Sequence, residues 1–256
     1  MLPREHGAYG QIAFPLIAAY AVAGVSTASL LITVTVIAGF LAHEPAAIVL
    51  GHRGGRVKRE RGASATRWLV CCLAVGVAAG LAAVSRLDTV TRWSLAIPTV
   101  PAVALMVAMV KGREKSWFGE AAAALAFAGA AVPIALAAGA SMDMALAVAI
   151  PFALLFTTTT LAVRVVVLRV RGGGDPGAAA ATQRAALILS GISTVMIGAL
   201  AMTGWLASSV LIAAAPGLLT GAIVAVRPPA ATRLRSLGWS LVAVSTLTTL
   251  IVIATA

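Results

Sequence analysis

Residues 51–84 read GHRGGRVKRERGASATRWLVCCLAVGVAAGLAAV, and the contrast between their two halves decides the fold. The first half carries Arg53, Arg56, Lys58, Arg59, Arg61 and Arg67, whereas from Trp68 onward no charge appears until Arg86. An uncharged run of that kind is long enough to cross a hydrocarbon core of about 30 Å, which takes about 20 helical residues. Similar apolar runs begin near Ala8, Thr27, Trp93, Phe118, Met144, Ala185, Leu206 and Leu237. The chain therefore reads as an all-α, polytopic transmembrane bundle of about nine helices.

The basic residues alternate between the gaps. Beyond the interval just quoted, Lys111, Arg113 and Lys115 follow the fourth span, Arg169, Arg171 and Arg184 the sixth, and Arg227, Arg233 and Arg235 the eighth. The remaining gaps hold only Arg86 and Arg92, offset by Asp88, and Asp143. The positive-inside rule then places the N-terminus in the cytoplasm and the C-terminus outside. Trp68, Trp93, Trp117, Trp205 and Trp239 all fall at span edges, where an amphipathic ring suits the headgroup region.

Composition agrees with that reading: 61% of residues are hydrophobic and 11% charged, with a mean hydropathy of +1.01, which calls for lipid as the solvent. The net charge of +11 is divided among short loops and not gathered on one face with stacking aromatics, so nucleic acid is excluded as a partner. Anionic lipid of the inner leaflet of a bacterial-type cytoplasmic membrane is the expected one. Cys71 and Cys72 are adjacent within a span and offer neither a disulfide framework nor a metal spacing. The apolar start is read as a retained first helix and not a cleaved signal, because Gln11 opens it and Pro15 interrupts it.

Residues 1–256 form a single transmembrane domain. The intervals from His52 to Arg67 and from Arg171 to Arg184 both combine glycine with arginine and lie four helices apart, so helices two to five and six to nine read as a degenerate parallel repeat. Gly76 and Gly80 stand at GxxxG spacing, which lets backbones approach closely.

Ionisable groups inside a span cost about 2.5–3.5 kcal/mol at its centre and call for a partner or a task. Here they are Glu5 and His6 at the first span, His43 and Glu44 in the second, Glu120 in the fifth and Arg164 in the sixth. All belong to the expected cytoplasmic half. Glu44 and Arg164 each precede their loop by seven residues, which puts both at about 10 Å depth and makes a Glu44–Arg164 pair geometrically possible. Arg164 and Arg171 share a helix face, extending positive charge toward the loop. Simpler accounts stand beside this one. Glu5 and Glu120 suit the positive end of a helix dipole, His43 and Glu44 could bridge a helix bent at Pro45, and Arg164 could snorkel to the interface. The Thr157 to Thr160 run is expected to bond its own helix carbonyls. The aspartates Asp88, Asp143 and Asp175 are scattered, so no Mg²⁺ pair, other metal site or cofactor is read from the sequence.

Pro3-Arg4-Glu5-His6-Gly7-Ala8-Tyr9, followed by Pro15, resembles the PxEHGAW…P opening of the YwiC-like bacterial membrane proteins. His43-Glu44-Pro45, Gly119-Glu120, the Arg164 to Arg171 cluster and Leu237-Gly238-Trp239 are similar to that family's later blocks. The chain departs from the pattern at Tyr9, usually Trp, and at Leu241, where the family has an acidic residue. The resemblance implies a membrane protein without an established activity. Nine spans with polar loops after helices two and six also resemble the UbiA prenyltransferase arrangement, but the Asp-rich motifs that hold Mg²⁺ and a prenyl diphosphate there are missing from this sequence.

The functional expectation is a cavity open to the cytoplasm that binds an amphiphile with an anionic head, an isoprenoid or lipid phosphate. Glu5, His6, Gln11, Arg164, Arg169 and Arg171 would bind it, and Glu44, His43 and Glu120 are the candidates for orienting or acid–base roles. The alternatives are an ion- or proton-coupled transporter, using the same charges as a relay, and a non-catalytic membrane assembly factor. Whether the chain is an enzyme stays open at this level.

Overall fold

The computed structural model describes residues 6–170 and 176–255. Glu5 and Arg171 lie outside the described residues, as does the side chain of His6. Helices dominate: α1 (His6–Ala23), α2 (Thr27–Leu50), α3 (Gly55–Val84), α4 (Thr89–Ser94), α5 (Ala96–Val110), α6 (Trp117–Gly129), α7 (Ala131–Ala137), α8 (Met142–Val170), α9 (Pro176–Met202), α10 (Ser208–Val226) and α11 (Leu234–Thr255). A single 3-10 turn, Ala231–Arg233, leads into α11. No strand occurs among the described residues.

α4 continues into α5, and α6 into α7, as single spans over Thr89–Val110 and Trp117–Ala137. Each pair is interrupted by proline chemistry. Pro98 and Pro133 lack the N–H that would bond residues 94 and 129, where α4 and α6 end. The two interruptions lie against each other, since a Cβ on Gly129 would stand 3.1 Å from Ile97 Cγ2. Counted this way, eight spans among the described residues are long and apolar enough to cross a membrane, and α1, with 18 residues, accompanies them. The sequence-based expectation of about nine helices agrees with this architecture.

The structure differs from expectation at the starts of two spans. α3 begins at Gly55 and not near Trp68, and α9 at Pro176 and not near Ala185. Basic residues mark where the apolar run ends, but Arg, Lys, Glu and Ala are good helix formers, so the helix itself extends beyond the apolar run. An exposed Arg56–Glu60 pair at 2.7 Å supports the first turns of α3 at the i, i+4 spacing.

α8 is the axis of the bundle. It packs against α1, α6, α7, α9, α10 and α11, and 61% of its apolar window is buried, against 17% for the α4–α5 span. Val148, Phe152, Leu155, Val165 and Val166 on α8 are fully enclosed. The outer helices instead present Val70, Leu73, Val77 and Leu81 of α3, or Ile188, Ile192 and Val195 of α9, to the surroundings. In a bilayer those side chains meet acyl chains, so their exposure has no hydrophobic cost.

Close approach of backbones replaces the hydrophobic effect as the source of specificity between helices. Thr35 Oγ1 on α2 shares its proton between the Leu31 carbonyl of its own helix at 3.0 Å and the Gly76 carbonyl on α3 at 3.3 Å, and a Cβ on Gly76 would lie 3.3 Å from Ala38 Cβ. The Gly76/Gly80 pair thus serves packing within the chain. A tighter seam joins α10 to α8: a Cβ on Gly217 would fall 2.8 Å from Leu155 Cα, and one on Gly221 3.0 Å from Thr158 Cβ. Thr157 and Thr158 donate to the carbonyls of Ala153 and Leu154 at 2.6 Å each, and Thr159 to that of Leu155. Thr157 to Thr159 are therefore satisfied within α8, while the fourth threonine of the run, Thr160, accepts from Gln11 of α1.

Cross-links define the two ends of the bundle. Arg53, Glu114, Arg164 and Glu120 meet at one end, where Gln183 also joins Arg169 to the Ala225 carbonyl. This is the basic end. At the other, Ser26 Oγ donates to the Ala137 carbonyl, and a crevice of about 20 Å³ lies between Ala147, Ser209, Val210, Val252 and Thr255. The start of α1 and the end of α11 consequently lie at opposite ends.

Gly217→Ala should lower stability by about 1–3 kcal/mol, because the α8 backbone cannot move aside. Gly191→Ala on α9, where nothing lies within 4 Å of the added Cβ, should melt with the parent protein. Thermal unfolding in detergent would check both.

Candidate functional site

The polar residues of the basic end are brought together by two tight pieces of backbone. Gly51 ends α2 with φ 89° and Gly54 starts α3 with φ 93°, left-handed values that glycine adopts without the strain a Cβ brings. Between them the chain reverses, and Arg53 reaches back along α2 to Glu44. Arg53 Nη2 donates to Glu44 Oε2 at 2.7 Å and its Nε to both oxygens at 3.2 Å. Its Nη1 donates to Glu114 Oε1 at 3.0 Å. The side chains of Glu44 and Glu114 are each only 9% exposed. Hydrogen bonding to Glu44 raises the pKa of Arg53, partly opposed by burial and reinforced by the charges of Glu44 and Glu114.

The α5–α6 connection supplies Glu114. Ser116 caps α6 by accepting the Gly119 N–H at 3.2 Å. The loop folds so closely over the first turn that a Cβ on Gly119 would overlap the Glu114 carbonyl carbon, at 2.9 Å, as well as its oxygen. Glycine at 119 is what lets Glu114 turn toward Arg53 while the next carbonyl turns toward α8. Arg164 Nη1 donates to that Lys115 carbonyl at 2.6 Å and to Glu120 Oε2 at 3.1 Å. One turn earlier on α8, Thr160 Oγ1 accepts from Gln11 Nε2 of α1 at 3.3 Å. The α5–α6 loop thus ties an Arg53 network to an Arg164 network.

Of the residues expected to share a site, Glu44, Glu120 and Arg164 lie in these linked networks and Gln11 joins α1 to α8, whereas Glu5 and the side chain of His6 lie outside the described residues; the Glu44–Arg164 pairing that equal depth allowed is absent. Glu44 binds Arg53 and Arg164 binds Glu120, so the Glu44–Arg164 pair is replaced by two others. Equal depth did not bring the two residues together because a cation on the adjacent turn and a carboxylate on α6 occupy the available sites. Ser116 provides the side-chain cap of α6, and Glu120 reaches α8. Arg169, assigned to the same constellation, bonds Gln183 Oε1 at 2.8 Å on an exposed surface. It belongs to the α8–α9–α10 junction.

Two participants escaped the sequence reading. Arg53 counted only as a topological charge, although two glycines bracket it closely. Glu114 is the lone acid of Lys111-Gly112-Arg113-Glu114-Lys115, with cations beside it that remain exposed. Among the described residues no group of three His, Cys, Asp or Glu is arranged to hold a metal ion.

The YwiC-like protein family matches residues 2–135, more than half of the chain and the part that contains Glu44, Arg53, Glu114 and Glu120. The chain belongs to the YwiC-like family. No curated protein and no solved structure matches it. In this YwiC-like protein the matched region supplies three carboxylates and one arginine of the cluster, while Arg164 comes from α8, beyond that region. The likeness to the UbiA arrangement rests on span number and loop position alone.

Removing one member of a buried pair strands the other, whereas removing both is milder. Arg53→Met strands both Glu44 and Glu114 and should destabilise by about 3–5 kcal/mol. Glu44→Gln, which leaves Arg53 its Glu114 partner, should cost less, and the double variant, in which Glu114 stays unpaired, should recover only part of the Arg53→Met loss. Glu44→Gln combined with Arg164→Met should instead give additive losses in the same melting measurement.

Proposed function

We propose that the basic end faces the cytoplasm and that this YwiC-like protein receives there the anionic head of an amphiphile, a prenyl or other lipid phosphate. The observation that carries this reading is the unequal use of the two arginines. Arg53 has all three of its nitrogens engaged by Glu44 and Glu114, so its role is architectural. Arg164 uses only Nη1, toward Lys115 and Glu120, and its Nε and Nη2 have no hydrogen-bond acceptor among the described residues. A guanidinium fixed along one edge and open along the other is preorganised for a bidentate phosphate contact. Exposed Lys111 and Arg113 line the neighbouring loop and would draw an anion toward it.

Native mass spectrometry of gently delipidated protein should find an anionic amphiphile retained by the parent chain and lost from Arg164→Gln. Equal retention by both, or none by the parent, would overturn the assignment. Orientation has its own check. A reporter active only outside the cytoplasm should work when fused after Ala256 and stay silent after Arg61; the reverse result would invert the bundle.

A further inference from the structure

We infer that His43 Nε2 and Glu114 Oε2 form a proton-binding site that clamps the α5–α6 loop to α2. The two atoms lie 3.5 Å apart. Glu114 Oε1 is taken by Arg53, but Oε2 is buried and accepts no hydrogen bond. A carboxylate oxygen enclosed without a donor is costly, and the group facing it is a ring nitrogen. If Nε2 carries no hydrogen, two lone pairs confront each other; the neutral Nε2–H tautomer turns an ordinary donor toward the carboxylate, and the imidazolium turns a charged one, which makes the contact a stronger, charge-assisted hydrogen bond. The His43 side chain is 26% exposed, so water can deliver the proton while the carboxylate stays enclosed.

The surrounding charges leave a place for that proton. On α2 and its turn, Glu44 is matched by Arg53, and exposed His52 stands near Gly112. On the loop, Lys111, Arg113 and Lys115 are exposed. From α6 and α8, Glu120 and Arg164 match each other. Arg4, Glu5 and the side chain of His6 lie outside the described residues. Among the described cluster members, the carboxylates of Glu44, Glu114 and Glu120 exceed the guanidiniums of Arg53 and Arg164 by one, and a protonated His43 restores balance. Imidazole is the side chain that ordinarily exchanges its proton between pH 5 and 8. Because Lys115 follows Glu114 and offers its carbonyl to Arg164, the bound proton also fixes the loop that holds Arg164. The inference does not rest on the head-group reading, and its test contains no ligand.

Hydrogen exchange of the intact protein in detergent, followed by mass spectrometry at pH 6 and pH 8 and corrected for intrinsic amide rates, reads the clamp directly. Peptides covering 111–120 should be about tenfold better protected at pH 6, the scale of one charge-assisted hydrogen bond. His43→Gln and Glu114→Gln should each abolish the difference, and His6→Gln and His52→Gln should keep it. The parent measurement alone can refute the site: equal corrected protection at both pH values would do so. A pH step that survives in either His43→Gln or Glu114→Gln, or that disappears in His6→Gln or His52→Gln, would also overturn it.

Discussion

The basic end of this protein depends on Arg53. One guanidinium binds Glu44 on α2 and one oxygen of Glu114 on the α5–α6 loop, two carboxylates that neither lipid nor a neighbouring helix would tolerate alone. Arg53 can do this because it lies on a turn and not within a helix. Gly51 and Gly54 are therefore as much a part of the site as the charges, since the reversal between them aims Arg53 inward.

The loop bearing Glu114 carries the next link. Its residues run from one network to the other within a few positions, so any movement of Glu114 is passed to the Lys115 carbonyl and from there to Arg164. Rigidity at this point comes from Gly119, whose missing side chain makes room for the overlying backbone. Elsewhere the bundle is held by ordinary means: an α8 core of Phe, Leu and Val, and glycine seams that let α3 approach α2 and α10 approach α8. The division between a packed axis and loosely covered outer helices follows from lipid as solvent, because valine on the periphery of α3 has no reason to turn inward.

The number of spans was legible in the sequence because each depends on a long local property, an uncharged apolar run bounded by charge. The convergence of α1, α2, α6 and α8 at one end was also legible, since alternation puts every second junction on the same side. Helix starts were not, because Gly55 and Pro176 begin helices in segments whose polarity resembles that of loops. The partners of Glu44 and Arg164 were illegible for a different reason. Depth along a helix follows from counting residues, but rotation about its axis and the path of a loop depend on packing. Glu114 and Arg53 became visible only when the α5–α6 loop was seen to fold across α6.

The early start of α3 changes what its charges can do. From Trp68 back to Gly55 the helix extends about 20 Å at 1.5 Å per residue, whereas electrostatic influence in physiological salt fades over about 8 Å. On an upright helix, Arg67 stands within the field of the headgroups, but Arg56, Lys58 and Arg59 stand about two screening lengths away. The same residues that mark orientation in the linear sequence are thus divided in the folded protein into an anchor at the membrane surface and a charged mast above it.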